Sequence, residues 1–293
     1  MEKRSFLLVA NPVSGSGSGI KIAERVGDVL RQHHPVDIFY TKGEQHIKDN
    51  LLQQTQGHSD IVIVGGDGTI HQVVNALGAH HRATLSLIPA GTGNDFAKVL
   101  DLGRGIDEQI NSSLHGKVRE LDLGVCNERL FVNGVGIGFD GQIVYEMLHK
   151  KTWLKGHAAY YYHVLRILAG YKERPFEYSL DGESQKKDLI LMTIGNGTTF
   201  GGGFKLTPNA RPDDGWLDIC LIGKLSPIKR FLNVPSLSNG SHLKLKAIEE
   251  QRVKRLEVAK SDLLEGHIDG EYLGRPPYSI KIFEKALKVR ERN

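Results

Sequence analysis

A short segment in the first quarter of the chain combines glycines with a carboxylate and a hydroxyl, in the order Gly65-Gly66-Asp67-Gly68-Thr69. Four apolar residues precede it, and apolar residues at helical spacing follow it over 70–77. This pattern predicts a buried strand, a tight turn and a helix packed back on the sheet. Glycines allow a ligand to approach the backbone, and a helix start offers unpaired N–H groups, so the corner suits a phosphate. The carboxylate of Asp67 repels phosphate unless a cation lies between them. The alternative is an ordinary strand–turn–helix corner.

Two further loops have the same surroundings. Residues 11–19, Asn-Pro-Val-Ser-Gly-Ser-Gly-Ser-Gly, follow a predicted strand at 5–10, and residues 91–97, Gly-Thr-Gly-Asn-Asp-Phe-Ala, follow one at 85–89. Strands alternating with helices predict an α/β fold with a doubly wound parallel sheet, whose ligands bind beyond the carboxyl ends of the strands. We therefore expect the three loops to converge at that edge. The first loop lacks the Gly-Lys-Ser/Thr of a Walker motif, and a flexible Gly/Ser linker is the alternative.

The pattern changes after about residue 120, where short strands and turn clusters such as Asp181-Gly182 replace most helical signals. This predicts a β-rich second domain, interrupted by helical stretches at 141–171 and 226–234. We place the domains at 1–124 and 125–293, with the last residues able to pack back on the first domain. The strands predicted here are 121–125, 130–135, 176–180, 189–194, 216–222, 253–259 and 279–283.

Composition indicates a soluble globular protein. The 293 residues are 40% hydrophobic and 25% charged. The longest apolar runs fall short of the ~20 residues that cross a bilayer. Two cysteines, at 126 and 220, fit a reduced cytoplasmic protein without a disulfide framework or zinc site. The net charge of +4 permits contact with an anionic membrane and gives no reason to expect nucleic acid.

Six segments in a fixed order extend these observations over nearly the whole chain. They are Asn11-Pro12-x-Ser14-Gly15, the glycine segment at 65–69, Pro89–Ala97, Asn133–Asp140, Pro208–Asp218 and Asp269-Gly270-Glu271. In this order they resemble the bacterial lipid kinases of the diacylglycerol kinase family. NAD kinases share the glycine–aspartate string but lack the first and third segments. The chain departs from the family at His71-Gln72, where Asn-Glu is common, and in the serines of its first loop.

The resemblance implies two domains and one reaction. The first domain would be a Rossmann-like, phosphofructokinase-like nucleotide domain, and the second a β-sandwich-like domain for the lipid. The reaction would be ATP-dependent transfer of the γ-phosphoryl group to a hydroxyl of diacylglycerol or a related lipid. Nucleotide contacts are expected from the following residues: Asn11, Pro12, Ser14, Gly15, Thr41, Gly65, Gly66, Asp67, Gly68, Thr69, Ile70, His71, Thr92, Gly93 and Asn94.

Two magnesium sites are expected. Asp67, Asp95 and Asp122 follow or lie in strand-end turns, so they could face one hydrated Mg²⁺, which takes few carboxylates and keeps most of its waters. The resemblance implies a second, structural Mg²⁺ bound by Asp214 and by the carbonyls of Arg211 and Trp216. The alternatives are turn or capping aspartates in each case.

The resemblance marks Asp269-Gly270-Glu271 as catalytic. In an extended strand, positions i and i+2 point to the same side, so both carboxylates could enter one cleft. We favour Glu271 as the acceptor of the substrate proton because its side chain is longer, with Asp269 a close second candidate. The alternative is an Asp-Gly hairpin turn between two strands.

A lipid substrate requires contact with a membrane surface. Residues 150–171 combine lysines, Trp153 and three tyrosines with an apolar face, as an interfacial helix does. Lys224, Lys229, Arg230 and Phe231 form a second candidate segment, and core helices are the alternative for both. The sequence thus predicts a cytoplasmic enzyme peripheral to the membrane, and it leaves a homodimer open. Competing functions are a kinase for a soluble alcohol such as NAD and an inactive nucleotide- and lipid-binding regulator.

Overall fold

The computed structural model describes residues 4–150 and 156–293. The chain forms two compact units, one of Met1–Leu123 with Glu284–Asn293 and the other of Gly124–Phe283. The C-terminal segment is therefore part of the first unit. No helix in the described ranges is both long and apolar enough to cross a bilayer.

The first unit contains the strands β1 (Phe6–Ala10), β2 (Val36–Tyr40), β3 (Asp60–Gly65) and β4 (Thr84–Pro89). They form a parallel sheet in the order β2–β1–β3–β4, followed by the C-terminal part of β16 (Tyr278–Glu291), where Val289 pairs with Leu85. Its helices are α1 (Ser14–Gly17), α2 (Gly19–Arg31), α3 (Glu44–Gln54), α4 (Asp67–Leu77) and α5 (Ile106–His115), with a 3₁₀ turn at Phe96–Val99. All residues of β1 and β3 are buried. Their apolar residues suit the centre of a parallel sheet, and Asp60 at the start of β3 is paired with Arg4 and Arg290.

The strand order places a topological switch point beside β1. The chain runs from β1 to β2 on one side and continues with β3 on the other side of β1. In open parallel sheets, ligands bind at the carboxyl edge where the strand order reverses in this way. The loops after β1 and β3 flank that position, so the fold brings together two of the loops that the sequence predicted to converge.

The strands after α5 are β5 (Lys117–Cys126), β6 (Arg129–Phe131), β7 (Gly134–Gly138), β8 (Arg174–Leu180), β9 (Glu183–Leu189), β10 (Leu191–Gly195), β11 (Leu217–Ile222), β12 (Ile248–Val253), β13 (Arg255–Val258), β14 (Gly266–Ile268), β15 (Glu271–Gly274) and β16 (Tyr278–Glu291). Strand β5 begins in the first unit and β16 ends there. The second unit is built from two antiparallel sheets. One has the order β12–β11–β10–β7–β14–β15, and the other contains β16, β13, β8 and β9. Inward residues of both sheets, including Ile137 and Ile194 from one and Phe176 and Leu256 from the other, share one core, as in a β-sandwich.

The helices of the second unit differ from the prediction in one place. The stretch predicted at 141–171 contains two helices, α6 (Phe139–His149) and α7 (Gly156–Leu168), and residues 151–155 lie outside the described ranges. The helix predicted near 226–234 is α8 (Pro227–Asn239), which a 3₁₀ turn at Ser241–Lys244 follows.

Candidate active site

A side-chain hydrogen bond joins the loops after β1 and β3. Asn11 Nδ2 donates to Thr69 Oγ1 over 3.1 Å, while Asn11 Oδ1 accepts from the Val13 N–H at 3.1 Å. Ser14 Oγ donates to the Asn11 carbonyl at 2.8 Å. Thr69 is buried against Gly65, where an added Cβ would lie 2.6 Å from the threonine side chain. Asn11 and Thr69 therefore fix the shape of the corner with the same side chains that we expected to contact the nucleotide.

The loops after β3 and β4 touch through their backbones. A Cβ added to Gly66 would lie 2.8 Å from Gly91 Cα, and one added to Gly91 would lie 2.5 Å from Gly66 Cα. Asn94 folds the third loop by accepting the Gly91 N–H and donating to the Gly91 carbonyl, both at 2.9 Å. Because real Cβ atoms do not approach so closely, the junction of the two loops requires glycine at both positions.

Asp67 begins α4 and also holds the third loop. Its Oδ1 accepts the Phe96 N–H at 3.2 Å. The helical hydrogen bonds of α4 begin with the Ile70 N–H, which donates to the Gly66 carbonyl at 3.1 Å. The backbone N–H groups before Ile70 therefore precede the helical hydrogen bonds. These N–H groups and the positive end of the helix dipole lie at the carboxyl edge of the sheet, which is the arrangement that binds phosphate.

The three carboxylates expected at the first magnesium site have different surroundings. Asp95 is buried and pairs with Lys98 at 2.7 Å. It precedes Phe96, so its backbone adjoins the Asp67 carboxylate. Asp122 is buried on β5, where its Oδ1 accepts the Lys285 N–H at 2.7 Å. Within 4–150 and 156–293, no three His, Cys, Asp or Glu side chains form a direct metal cluster. Asp67 and Asp95 suit a hydrated Mg²⁺ held largely through water. Asp122 stays a predicted third carboxylate of this site.

The remaining expected nucleotide residues line or support the same corner. Gly15 has a left-handed φ of 58° that turns the first loop, and Thr41 is buried directly after β2. His71 is buried in α4, where its carbonyl accepts the Asn75 side chain at 2.9 Å. Pro12, Gly68 and Gly93 are half-buried, Ile70 is buried in α4, and Thr92 is exposed.

A cavity of about 360 Å³ adjoins the third loop and has a basic wall. Gly93 and Asn94 line one part, and Lys98, Arg104 and Arg292 line another. Arg292 is paired with Asp101 at 3.0 Å. These cations were not predicted from the sequence, because none of them belongs to a recognisable motif and Arg292 lies far along the chain from the loop.

In the second unit, Asp269 and Gly270 form a two-residue hairpin turn between β14 and β15, with φ of 49° and 87°. The Asp269 carboxylate accepts three backbone N–H groups at 2.9 Å, from Val132, Asn133 and Gly134. The expectation of an extended strand that directs both carboxylates to one side is therefore wrong. These hydrogen bonds commit Asp269 to the loop at 132–134 and argue against it as the proton acceptor, whereas Glu271 is exposed at the start of β15.

The carboxylate expected to bind structural Mg²⁺ is paired with a cation of the protein itself. Asp214 Oδ1 accepts the Trp216 N–H at 3.1 Å, and its Oδ2 forms an ion pair with Arg252. Arg252 Nε also lies 3.9 Å from Asp218 Oδ2, and burial raises the pKa of Asp218 to about 6. Arg211 is 3.8 Å from Asp213 through its Nε.

A cavity of about 480 Å³ opens beside Asp214, Asp218 and Glu250. Carboxylate oxygens around such a space suit a hard cation. The guanidinium of Arg252 supplies positive charge at the Asp214 carboxylate. This pairing was not predicted from the sequence. A metal here would therefore have to compete with Arg252 for Asp214.

Asp214→Ala should lower the melting temperature, since it removes the Arg252 ion pair and the acceptor of the Trp216 N–H. A loss of about 1–3 kcal/mol is expected for breaking such a partly buried contact. If a metal binds Asp214 in the folded state only, excess Mg²⁺ will raise the melting temperature of the parent more than that of the variant. Asp213→Asn is the matched control. Equal Mg²⁺ shifts in the parent and Asp214→Ala would place any structural metal elsewhere.

Comparison with known proteins assigns each half of the chain. Residues 5–126 match the family model of the diacylglycerol kinase catalytic domain, and residues 133–291 match that of the YegS C-terminal NAD kinase beta sandwich-like domain. A diacylglycerol kinase of Mycobacterium tuberculosis is 30% identical over 96% of this chain and 93% of its own length. One from Bacillus subtilis is 31% identical over 74% of this chain and 72% of its own.

Solved structures show the same fold. A diacylglycerol kinase from Bacillus anthracis aligns over 100% of this chain and 98% of its own, with a TM-score of 0.77 and 23% identity. An NAD kinase from Archaeoglobus fulgidus in complex with ATP aligns over 98% and 94%, with a TM-score of 0.54 and 14% identity. The chain thus combines a diacylglycerol kinase catalytic domain with an NAD kinase-like β-sandwich domain that follows it. The chain belongs to the diacylglycerol kinase family.

Proposed function

We propose that this protein is an ATP-dependent lipid kinase that transfers the γ-phosphoryl group to a hydroxyl of diacylglycerol or a related lipid. One observation carries the proposal: three loops meet at the carboxyl edge of a parallel sheet, through the contacts of Asn11 with Thr69 and of Gly66 with Gly91, in a chain of the diacylglycerol kinase family. Phosphoryl transfer requires mainly positioning and charge stabilisation, which such a corner supplies.

The roles follow the contacts of each unit. In the first unit, the N–H groups at the start of α4 bind triphosphate oxygens, and the glycines at 66 and 91 allow the nucleotide to approach the backbone. Asp67 and Asp95 would hold Mg²⁺, which when bound neutralises charge that develops on the phosphates. In the second unit, Glu271 accepts the proton of the attacking lipid hydroxyl as the bond to phosphorus forms.

The inactive-regulator alternative depended on His71-Gln72 and on the serines of the first loop. His71 is buried within α4 and bonds to Asn75 there. Ser18 Oγ donates to the Gly15 carbonyl at 2.8 Å and so supports the turn of the first loop. His71 and Ser18 thus have structural roles that are compatible with an active corner, and we favour the catalytic function.

The proposal can be tested by a comparison of phosphate acceptors. The purified chain is incubated with γ-labelled ATP and Mg²⁺ together with diacylglycerol vesicles, with NAD, or with no acceptor. We expect label in the organic phase with diacylglycerol and no conversion of NAD. Label that appears in NADP would support the soluble-alcohol kinase instead, and ATP consumption unaffected by any lipid would support the regulator.

We further propose that the protein acts at the cytoplasmic surface of a membrane through α8. Ile228 and Leu232 are 74% and 73% exposed on this helix, and Lys224 and Lys229 are exposed beside them. Exposed apolar residues flanked by lysines suit an anionic lipid surface. Trp153 and its neighbours at 151–155 lie outside the described residues.

One residue of the predicted membrane segment is unsuitable. Arg230 is only 7% exposed, and it donates to the carbonyls of Leu225 and Leu168 at 2.8 and 3.2 Å and to Glu173 at 2.9 Å. It also donates to the Tyr171 carbonyl. Arg230 therefore anchors α8 to the rest of the unit, and it does not face a membrane.

Binding to vesicles should increase with their anionic lipid content and decrease with added salt, because exposed charges are screened over about 8–10 Å at moderate ionic strength. Lys224→Gln with Lys229→Gln should weaken binding to anionic vesicles, and Lys186→Gln, an exposed lysine on β9, is the control. Co-sedimentation measures the bound fraction. Equal binding of the parent to neutral and anionic vesicles would show that these lysines are only a solvated surface.

A further inference from the structure

A buried pair of ionisable side chains lies directly beneath the hairpin turn that carries Glu271. His267 on β14 and Asp140 in the first turn of α6 are 4% and 5% exposed, and His267 Nε2 lies 2.9 Å from Asp140 Oδ2. Buried ionisable side chains cost free energy unless they have partners, so a pair at this position needs a reason. Neither residue has a role in the proposed chemistry.

The neighbouring strand leaves space for this pair. Gly136 on β7 pairs with His267 across the sheet. A Cβ added to Gly136 would lie 2.3 Å from His267 Nε2 and 2.4 Å from Asp140 Oδ2. The absence of a side chain at Gly136 therefore makes room for both polar groups, which ties the glycine to the pair.

The other ring nitrogen of His267 faces the turn. The Gly270 N–H donates to His267 Nδ1 at 3.3 Å, so Nδ1 acts as an acceptor and the ring proton is assigned to Nε2, toward Asp140. The imidazole thus bridges α6 and the backbone between Asp269 and Glu271. The turn is held at two points, because Asp269 also accepts the N–H groups of the loop at 132–134.

We propose that His267 and Asp140 are a positioning pair, which fixes the turn at Gly270 and thereby the reach of the Glu271 carboxylate. This inference rests on the proposed role of Glu271. The Glu271 side chain is exposed, so the backbone that carries it determines where it lies. A proton acceptor must lie within hydrogen-bonding distance of its substrate, and a displacement of about 1 Å can cost about 10²-fold in rate.

Two substitutions of His267 separate its two contacts. His267→Asn keeps an acceptor near the Nδ1 position for the Gly270 N–H and loses the group that faces Asp140. His267→Gln reaches toward Asp140 and lacks the acceptor for Gly270. We expect His267→Gln to lower kcat about 10–100-fold with an unchanged KM for ATP, while His267→Asn retains kcat within a few-fold of the parent. His267→Asn should have the lower melting temperature, because Asp140 then lacks its partner.

A second readout does not depend on activity. Hydrogen exchange of the Gly270 amide should be faster in His267→Gln than in the parent or in His267→Asn. His242→Gln is the control, because it removes another buried imidazole of the same unit, one that contacts Cys220 and the Leu206 carbonyl. It should lower stability without accelerating Gly270 exchange. If His267→Gln does not fold, Asp140→Asn tests the same bridge. It removes the charge that orients the imidazole, which the shorter amide of His267→Asn does not need, so exchange at Gly270 should also be faster.

The positioning role is wrong if His267→Gln leaves Gly270 exchange and kcat at parental values. It is also wrong if both His267 variants lose kcat equally and in proportion to their loss of stability, as a purely structural residue would. Glu271→Gln, measured in parallel, keeps the two proposals distinguishable. A parental kcat in Glu271→Gln would refute the role of Glu271 as proton acceptor. It would also refute any effect of His267 on kcat through the position of the Glu271 carboxylate. Hydrogen exchange of the Gly270 amide would then show only whether His267 stabilises the turn.

Discussion

Glu271→Gln should lower kcat by about 10²–10⁴-fold, the usual contribution of general acid–base catalysis, and leave the KM for ATP within a few-fold of the parent. The amide keeps the size and much of the hydrogen bonding of the side chain but cannot accept the proton of the lipid hydroxyl. Because Glu271 is exposed at the start of β15, the melting temperature should barely change. Steady-state kinetics on diacylglycerol vesicles and a thermal melt provide both measurements.

Asp269→Asn is the matched control for this variant. The Asp269 carboxylate accepts three backbone N–H groups, and charge-assisted hydrogen bonds of this kind are stronger than neutral ones. We therefore expect Asp269→Asn to lower the melting temperature, with a smaller direct effect on kcat. Parental kcat in Glu271→Gln with a loss in Asp269→Asn would reverse the two roles. If both variants keep parental kcat, the proton acceptor lies outside this turn.

Asp67→Asn should lower kcat by about 10²–10³-fold, the size of effect seen when one electrostatic group that stabilises a transition state is removed. The substitution removes the charge that would attract Mg²⁺ but keeps an oxygen that can accept the Phe96 N–H. The fold of the third loop should therefore persist. Asp67→Ala would also lose that hydrogen bond, so a comparison of the two separates the electrostatic effect from the structural one.

The measurement for Asp67 is kcat as a function of Mg²⁺ concentration, together with a thermal melt. A normal melt with a rate that excess Mg²⁺ partly restores is the expected result for Asp67→Asn. A folded Asp67→Asn protein with parental turnover at all Mg²⁺ concentrations would contradict the assignment of this residue to the metal.

The first unit followed from its sequence because its signals are local. The apolar run at 61–64 and the glycine segment after it predicted β3, the turn and α4, and the convergence of three loops followed from the geometry of parallel strands. The side-chain contacts that shape the corner could not be predicted from the sequence. Asn11 with Thr69 and Asp67 with Phe96 are pairs distant in sequence, and the residue types alone do not indicate which residues they contact.

The second unit was less predictable for two physical reasons. Its edge strands β9 and β12 are rich in charged residues, as exposed sheet edges usually are, so they lack the alternation that marks a strand. The partners of Asp269 lie about 135 positions away, and a single buried histidine such as His267 belongs to no motif. The Asp-Gly pair was a correct signal for the hairpin, although we ranked it as the alternative.

The most direct test of the proposed reaction compares ATP labelled at the γ-phosphate with ATP labelled at the α-phosphate. Each is incubated with the purified chain, Mg²⁺ and diacylglycerol vesicles, and the organic phase is counted. Transfer of the terminal phosphoryl group predicts organic label from γ-labelled ATP alone, strongly reduced in Asp67→Asn and in Glu271→Gln. Organic label from α-labelled ATP, or aqueous phosphate release without any labelled lipid, would contradict phosphorylation of a lipid hydroxyl by this protein.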